Sequence, residues 1–293
     1  MRPNHHQFVA FAYVVREGSF SAAANELGVT QSTITQHVAK LEQNVGAQLL
    51  WRRRDGVEVT PTGQALYDLA DRLVAVETAI GERLEGFASM KEGRIKVIAN
   101  APQPALGIIR RFHEAFPTIH IDFGLHDWTT ATTMIRDRLA DVGLITDPPQ
   151  NEEWDRHRLM KTRYVAYQSA LQKRISEPVT SLAELASHSL ILPEKGSLTQ
   201  RVVQSKLREI GIKPPRIVNM TTFPLMCEAV LQGIGVAIFL RQSSLIKDGI
   251  SEVEVADLDQ IHETWLVAPK DKAKLRLISE FTSIAVTEDW GGI

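Results

Sequence analysis

The chain holds a single cysteine, Cys227, among 293 residues, which excludes a disulfide framework and any all-cysteine metal site within one chain. No apolar run reaches membrane-spanning length, and the N-terminus, MRPNHHQFVAF, lacks a charged-then-apolar signal pattern. A cytoplasmic protein without a membrane partner is therefore expected. Charge of one sign is also scarce. A formal net charge of −2 offers no basic surplus that would advertise nucleic-acid binding by composition. Residues 1–60 carry six Lys or Arg against five Asp or Glu, so a footprint on DNA depends on where the cations sit and on doubling by dimerisation. There is no phosphate-cradling glycine loop, no clustered set of metal ligands and no nucleophile motif of useful specificity. No catalytic residue, metal or cofactor is expected. Internal repeats and low-complexity segments are missing too. What is present, 44% apolar and 23% charged residues, describes a globular chain long enough for two or three compact units.

The stretch SFSAAANELGVTQSTITQHVAKLEQNVG, residues 19–46, reads as two helices joined by a tight turn. Ser19 is an N-cap for a helix through Ala22, Ala23, Ala24 and Leu27. Gly28 suits the left-handed conformation that ends it, with Val29 plugging the space between the helices. Thr30 caps a second helix whose apolar residues, Ile34, Val38, Leu41 and Val45, make one stripe. Gln31, Ser32, Thr33, Thr35, Gln36 and Lys40 occupy its first turn and opposite face. Short polar groups at a helix N-terminus suit insertion in a major groove, where hydroxyls and amides meet base edges. An ordinary helical hairpin with a solvated face is the alternative. Residues 5–17 supply a bracing helix with Phe8, Phe11, Ala12 and Val15 inward.

After Gly46, the sequence QLLWRRRDGVEVTPTG contains an Asp55-Gly56 hairpin signal followed by a short strand at Val57, Val59 and Thr60. Arg52, Arg53 and Arg54 precede the turn, where a wing would hold them beside the DNA backbone. From Thr62 to about Lys91, apolar residues recur at Leu66, Leu69, Leu73, Val76, Ile80, Leu84 and Phe87. So narrow a stripe on so long a helix calls for a partner helix, and a dimer interface is expected, with packing on the chain's own domain as the alternative. From residue 92 strands alternate with helices, which predicts a parallel α/β sheet, divided over about 200 residues into two lobes with a cleft between them.

Residues 8–63 resemble the LysR-type transcriptional regulators, and the similarity extends over nearly the whole chain. It is carried by Phe11, Gly18-Ser19-Phe20, Ala23-Ala24, Leu27, Gln31-Ser32, Leu41-Glu42, Gly46, Leu49, Arg52 and Thr60-Pro61-Thr62-Gly63. Ser32 replaces the family's usual proline and Leu50 its usual phenylalanine, both mild changes. The resemblance implies a mainly α winged helix-turn-helix (1–61), a linker and dimerisation helix (62–91) and a two-lobed α/β effector domain like periplasmic binding proteins (92–293). Lobe I would be about 92–166 plus 265–293 and lobe II about 167–264. It also implies double-stranded promoter DNA, RNA polymerase, a small-molecule effector and a homodimer or homotetramer as partners. A solute-binding protein or small-molecule enzyme with an accessory helical N-terminus is the competing reading.

In such a fold the cleft is lined by loops and helix N-termini, whose free amides and dipoles favour anions. Candidate contacts are Asn100, Ala101, Pro102 and Gln103, then Trp128 and Thr129, then Ser197 and Thr199, then Thr222 and Phe223. The Ser and Thr residues have capping as an alternative reason to be there. A carboxylate, phosphonate or amino-acid-like ligand is expected. Ala99–Pro102 and Pro193–Thr199 are also similar to a subgroup proposed to regulate aminophosphonate use. Thr199-Gln200 and Phe223-Pro224 depart from that subgroup's Thr-Arg and Arg-Glu pairs. Cys227, among Leu225, Met226 and Val230, reads as a small core residue.

Overall fold

A computed structural model describes residues 3–53, 56–84, 93–172, 175, 178–194, 197–213, 216–243 and 249–291. Asn4 and Gln7 cap each other reciprocally to start helix α1 (His5–Glu17), and Gly18, at φ 64°, ends it. Ser19 then accepts from the Ala22 amide to begin α2 (Phe20–Glu26), and Thr30 accepts from the Thr33 amide to begin α3 (Gln31–Val45). Ile34, Val38 and Leu41 are buried as their spacing predicts, but Val45 is 41% exposed. Val29 is 42% exposed and does not fill the space between the helices. Its amide closes the turn on the Ala24 carbonyl at 3.0 Å, and Phe20 and Leu27 pack against the core instead.

An antiparallel wing follows, β1 (Leu50–Arg53) on β2 (Gly56–Val59), and Pro61 opens the long helix α4 (Pro61–Leu84). The Glu42 carboxylate accepts from the Leu49 and Leu50 amides at 2.8 and 3.3 Å and so fastens the wing to α3. A Cβ on Gly63 would lie 2.1 Å from the Leu49 carbonyl oxygen, so only glycine fits beneath the wing. The expected extension of α4 to Lys91, including Phe87, lies outside the described residues. Tyr67, Ala70, Asp71, Val74 and Ala75 bury one face of α4, while Leu69, Leu73, Val76 and Ile80 leave the other exposed.

The remainder builds two sheets. β3 (Arg94–Ala99), α5 (Ala105–Ala115), β4 (His120–Leu125), α6 (Trp128–Arg136), β5 (Val142–Thr146) and β6 (Trp154–Thr162) form the first pass through lobe I. The chain crosses at Arg163 into lobe II: β7 (Tyr164–Ser169), β8 (Val179–Thr180), α7 (Leu182–Leu185), β9 (Ser189–Pro193), α8 (Leu198–Glu209), β10 (Arg216–Met220), α9 (Phe223–Leu231), β11 (Val236–Leu240) and β12 (Ile250–Val255). It returns to lobe I as β13 (His262–Pro269) and α10 (Arg276–Val286). Strand orders are β4-β3-β5-β13-β6 in lobe I and β10-β9-β11-β7-β12-β8 in lobe II.

Both sheets are mixed, not parallel. The strands flanking the crossings run against their neighbours: β13 is antiparallel to β5 and β6, and β7 to β11 and β12. A chain that leaves a lobe and returns enters the second time from the opposite end, which reverses the direction. The crossings also fall earlier than read from the sequence, because Met160 to Gln168 is interrupted as strand only at Arg163. β6 has no counterpart in the sequence reading, since Asp155, Arg156, His157, Arg158 and Lys161 give it the look of a polar loop. β12 was hidden in the same way by Glu252 and Glu254.

Candidate functional site

On α3, the side chains of Gln31, Ser32, Gln36 and Lys40 are exposed together along one side of the helix. Four hydroxyls here, those of Thr30, Ser32, Thr33 and Thr35, are engaged locally. Thr30 contacts the Ser32 and Thr33 hydroxyls at 2.8 and 2.9 Å, and the Thr35 hydroxyl donates to the Gln31 carbonyl at 2.9 Å. The amides of Gln31 and Gln36 and the ammonium of Lys40 are thus the groups held ready for a partner. Ser19 is half-buried and its hydroxyl is occupied by capping α2.

The wing cations are positioned by aromatic faces. The Arg52 guanidinium lies 5.0 Å from the Phe20 ring centre and that of Arg53 lies 5.5 Å from Trp51. Arg53 is also paired with Glu58 at 2.8 Å, so a phosphate would have to displace that carboxylate. Arg54 and the Asp55 half of the hairpin turn lie outside the described residues.

A cavity of about 480 Å³ lies between the lobes. Of the residues expected there, Asn100, Ala101, Pro102, Trp128, Ser197, Thr199, Thr222 and Phe223 line it, whereas Gln103 and Thr129 do not. Thr129 is exposed and sits at a helix N-terminus that is already satisfied. The Asp127 carboxylate accepts from the Thr129 and Thr130 amides at 2.9 and 3.2 Å, so its own negative charge already occupies this helix start. Lys195 and Gly196 lie outside the described residues.

The lobe II wall differs from that arrangement. Ser197 and Thr222 stand at the N-cap positions of α8 and α9, yet neither side chain caps its helix. Among the described residues two helix N-termini without a side-chain cap therefore face one cavity, each with the positive end of a helix dipole; α9 offers fewer amides, because Pro224 has no N–H. At the floor, the Thr199 hydroxyl donates to the Tyr164 hydroxyl at 3.4 Å. Burial pushes the Tyr164 pKa well above its ordinary value, so the phenol keeps its proton and can donate it to a ligand. Asn100 uses its Oδ1 to accept from the Thr146 amide at 2.9 Å, and Trp128 donates Nε1 to the Thr146 carbonyl at 2.8 Å, which locks both to the end of β5. Across the cleft, the Arg201 guanidinium of lobe II lies 4.3 Å from the Trp128 ring centre.

Tyr164, Met226, Phe239, Leu240 and Ser243 also line the cavity without having been read as site residues. Four of them sit on strands or mid-helix, where an apolar residue signals core. Only Tyr164, a strand-leading residue with a hydroxyl, carried a hint of a second role. Cys227 is 1% exposed within α9, as expected of a core residue. Among the described residues no group of three or more His, Cys, Asp or Glu is arranged to hold a metal ion, and no helix is long and apolar enough to cross a membrane.

A helical head with an exposed recognition-type helix and a wing, joined by a long helix to a two-lobed α/β unit with a central cleft, is the architecture of a ligand-responsive DNA-binding regulator. Residues 5–64 match the family model described as bacterial regulatory helix-turn-helix protein, lysR family, and residues 89–289 match the LysR substrate binding domain. The chain belongs to the LysR family and is a LysR-type DNA-binding transcriptional regulator. It is 24% identical over 280 residues to the HTH-type transcriptional activator CmpR of Synechocystis sp., covering 94% of this chain and 92% of CmpR. With the HTH-type transcriptional regulator LysG of Mycobacterium tuberculosis it shares 29% identity over 256 residues, covering 86% and 83% of the two chains. Full-length OxyR of Pseudomonas aeruginosa has the same fold, with a TM-score of 0.79 at 17% identity over 97% of this chain and 95% of that one. CbnR in complex with its target DNA gives a TM-score of 0.54 at 19% identity, covering 96% and 98%.

Proposed function

We propose that this regulator binds a small anion in the interlobe cleft and that the occupied cleft alters how a homo-oligomer holds promoter DNA. The observation that carries the ligand class is the pair of uncapped helix N-termini, α8 and α9, facing one cavity. The anionic head sits at the amides following Ser197 and Thr222, with Tyr164 donating from below and the Trp128 and Phe223 rings bounding the rest of the ligand. A carboxylate, a phosphonate, including an aminophosphonate, or an amino acid of compatible size meets these terms.

On the DNA side, Gln31, Ser32, Gln36 and Lys40 approach base edges, and Arg52 and Arg53 hold phosphates. Thr33 and Thr35 keep the helix start in shape through their local bonds. Leu69, Leu73, Val76 and Ile80 pack against the same helix of a second copy, which places two heads on one site. RNA polymerase is the downstream partner of such an assembly, in the cytoplasm.

The test is a thermal-shift screen of the full-length protein against carboxylates, amino acids, sulfonates, aminophosphonates and aromatic acids. A ligand at 100 times its dissociation constant stabilises the protein by about 2.7 kcal/mol, a readily measured shift. A hit in one acid class that Thr199→Val or Tyr164→Phe weakens, and that changes DNA affinity, supports the reading. The panel also carries amines and uncharged sugars as controls, and stabilisation by these alone would overturn the anion assignment.

A further inference from the structure

Six charged side chains meet where the head, the long helix and lobe I touch. Asp71 on α4 accepts from Arg138 Nε at 2.7 Å and lies 2.9 Å from Lys272 Nζ. Lys272 also reaches Asp141 at 3.3 Å, and Asp141 takes Arg16 of α1 at 2.8 Å on its other oxygen. Arg138 spends its remaining nitrogens on Asp271, at 2.5 and 3.1 Å. The positive and negative groups balance, three against three. Asp71, Arg138, Lys272 and Asp141 have side chains no more than 7% exposed.

Arg138 adopts φ 60°, a left-handed conformation that a non-glycine residue holds only when its surroundings impose it. Its carbonyl is held as well, by the Tyr67 hydroxyl of α4 at 3.1 Å. Leu139, next in the chain, packs into the head's own hydrophobic core. A second set of contacts repeats the joint nearby: Arg94 bridges Glu17 of α1 and Asp122 of β4, and Glu82 of α4 accepts from the Arg276 amide. Buried ion pairs contribute little net stability, but removing one partner strands a charge at high cost, so such a cluster specifies one geometry.

The cluster does not obstruct DNA, because Gln31, Ser32, Gln36 and Lys40 remain exposed with the joint closed. It is also wired to the cleft by the two elements of lobe I that run between them. α6 starts at Trp128 on the cleft and ends two residues before Arg138. β5, buried at every residue, starts directly after Asp141 and ends at Thr146, which bonds the cleft-lining Asn100 and Trp128 from behind. The Trp128 to Thr146 hydrogen bond ties their cleft ends together.

We propose that this six-charge cluster is a latch within one chain that makes the DNA-reading head, α4 and lobe I a single mechanical body, leaving lobe II as the part that moves when the cleft opens or closes. The latch itself is independent of any ligand, whereas its regulatory consequence rests on the cleft reading proposed above.

Amide hydrogen exchange of the full-length protein, without DNA or small molecules, tests the latch alone. Peptides covering 67–75 and 136–142 are expected to exchange slowly in the wild type. They should exchange roughly a hundredfold faster in Arg138→Met and about tenfold faster in the milder Asp271→Ala, whose carboxylate is at the rim. Peptides from β7 and β11 report whether lobe II stays folded, and Asp271→Ala decides the matter if Arg138→Met does not fold. Exchange in the wild type as fast as in the variants, or no acceleration in Asp271→Ala with lobe II intact, would overturn the latch. Either result leaves the cleft reading untouched, since that is decided by ligand-induced stabilisation.

Discussion

The Tyr67 hydroxyl of α4 donates to the main-chain carbonyl of Arg138 at 3.1 Å, while the Arg138 guanidinium bonds back to Asp71, one helical turn further along α4. A residue of lobe I is thus gripped by backbone and side chain from the helix that carries the DNA-binding head. Burial drives the Tyr67 pKa far above its ordinary value, so this donor is never lost by ionisation near neutral pH. Tyr67→Phe keeps the ring and deletes only the donor, leaving a buried carbonyl unpaired. We expect a loss of about 1–3 kcal/mol in urea unfolding of the full-length protein. A loss indistinguishable from zero would mean that water takes the hydroxyl's place.

Acid should act on the same joint. Burial by itself raises the Asp141 carboxyl, but Lys272, Arg16 and the Lys96 amide outweigh it and hold its pKa below the ordinary value. Asp71, Lys272 and Arg16 are the charged groups facing it. A lowered folded-state pKa adds stability that is present above the unfolded value of about 3.9 and is lost as pH falls through the folded value. Urea midpoints should therefore hold from neutral pH to about pH 5 and fall steeply below about pH 4. Asp141→Asn should start less stable and show a shallower acid limb; an acid limb as steep as that of the wild type would assign the loss to other carboxylates.

Base reading and phosphate holding separate by mutation. Gln31→Ala and Gln36→Ala should lower discrimination between operator and random DNA by about 1–3 kcal/mol each. Arg53→Ala should weaken both DNAs alike and reduce the salt slope by about one. Because Glu58 holds Arg53 in the free protein, Glu58→Gln should tighten binding to both DNAs. Titrations over a range of salt concentrations read all four variants. Equal losses on operator and random DNA from the glutamine variants would remove α3 from the reading role.

The exposed α4 face gives a further expectation. Leu69 and Val76 are 65% and 54% exposed in the single chain, an arrangement that water does not favour for a seven-residue-spaced apolar pair. Leu73→Glu or Val76→Glu should yield monomers in sedimentation and weak operator binding, because two heads no longer share one site. Normal dimers from both variants would move the interface elsewhere.

Much of the head was legible in the sequence because its signals are local. Ser19 and Thr30 cap the helices they were expected to cap, Gly28 follows the end of α2 at φ 63° in the left-handed conformation expected of it, and Ile34, Val38 and Leu41 form the buried stripe. Each of these effects acts within one or two helical turns, so neighbouring letters encode it. The alternation of strands and helices from residue 92 likewise announced a two-lobed α/β half, because each strand and helix carries its own hydrophobic period. The loops expected around a cleft supplied eight of its lining residues.

Tertiary structure decided the rest. Nothing in the sequence separates Asp71 and Lys272 from solvated surface charges, yet they meet at 2.9 Å beneath a lobe. Their partners Arg138 and Asp141 lie far away in sequence, and no periodicity announces a buried salt bridge between distant segments. The charged strand β6 passes for a loop until its backbone finds β13. Thr129 and Ser197 look equivalent as residues at helix starts, but Asp127 satisfies the first helix and nothing caps the second. Sequence alone determined which helices form, where they start and stop and which family the chain resembles, since capping and periodicity are short-range. Which helix ends stay open to a ligand, and which charges are buried together, follows only from how distant segments pack.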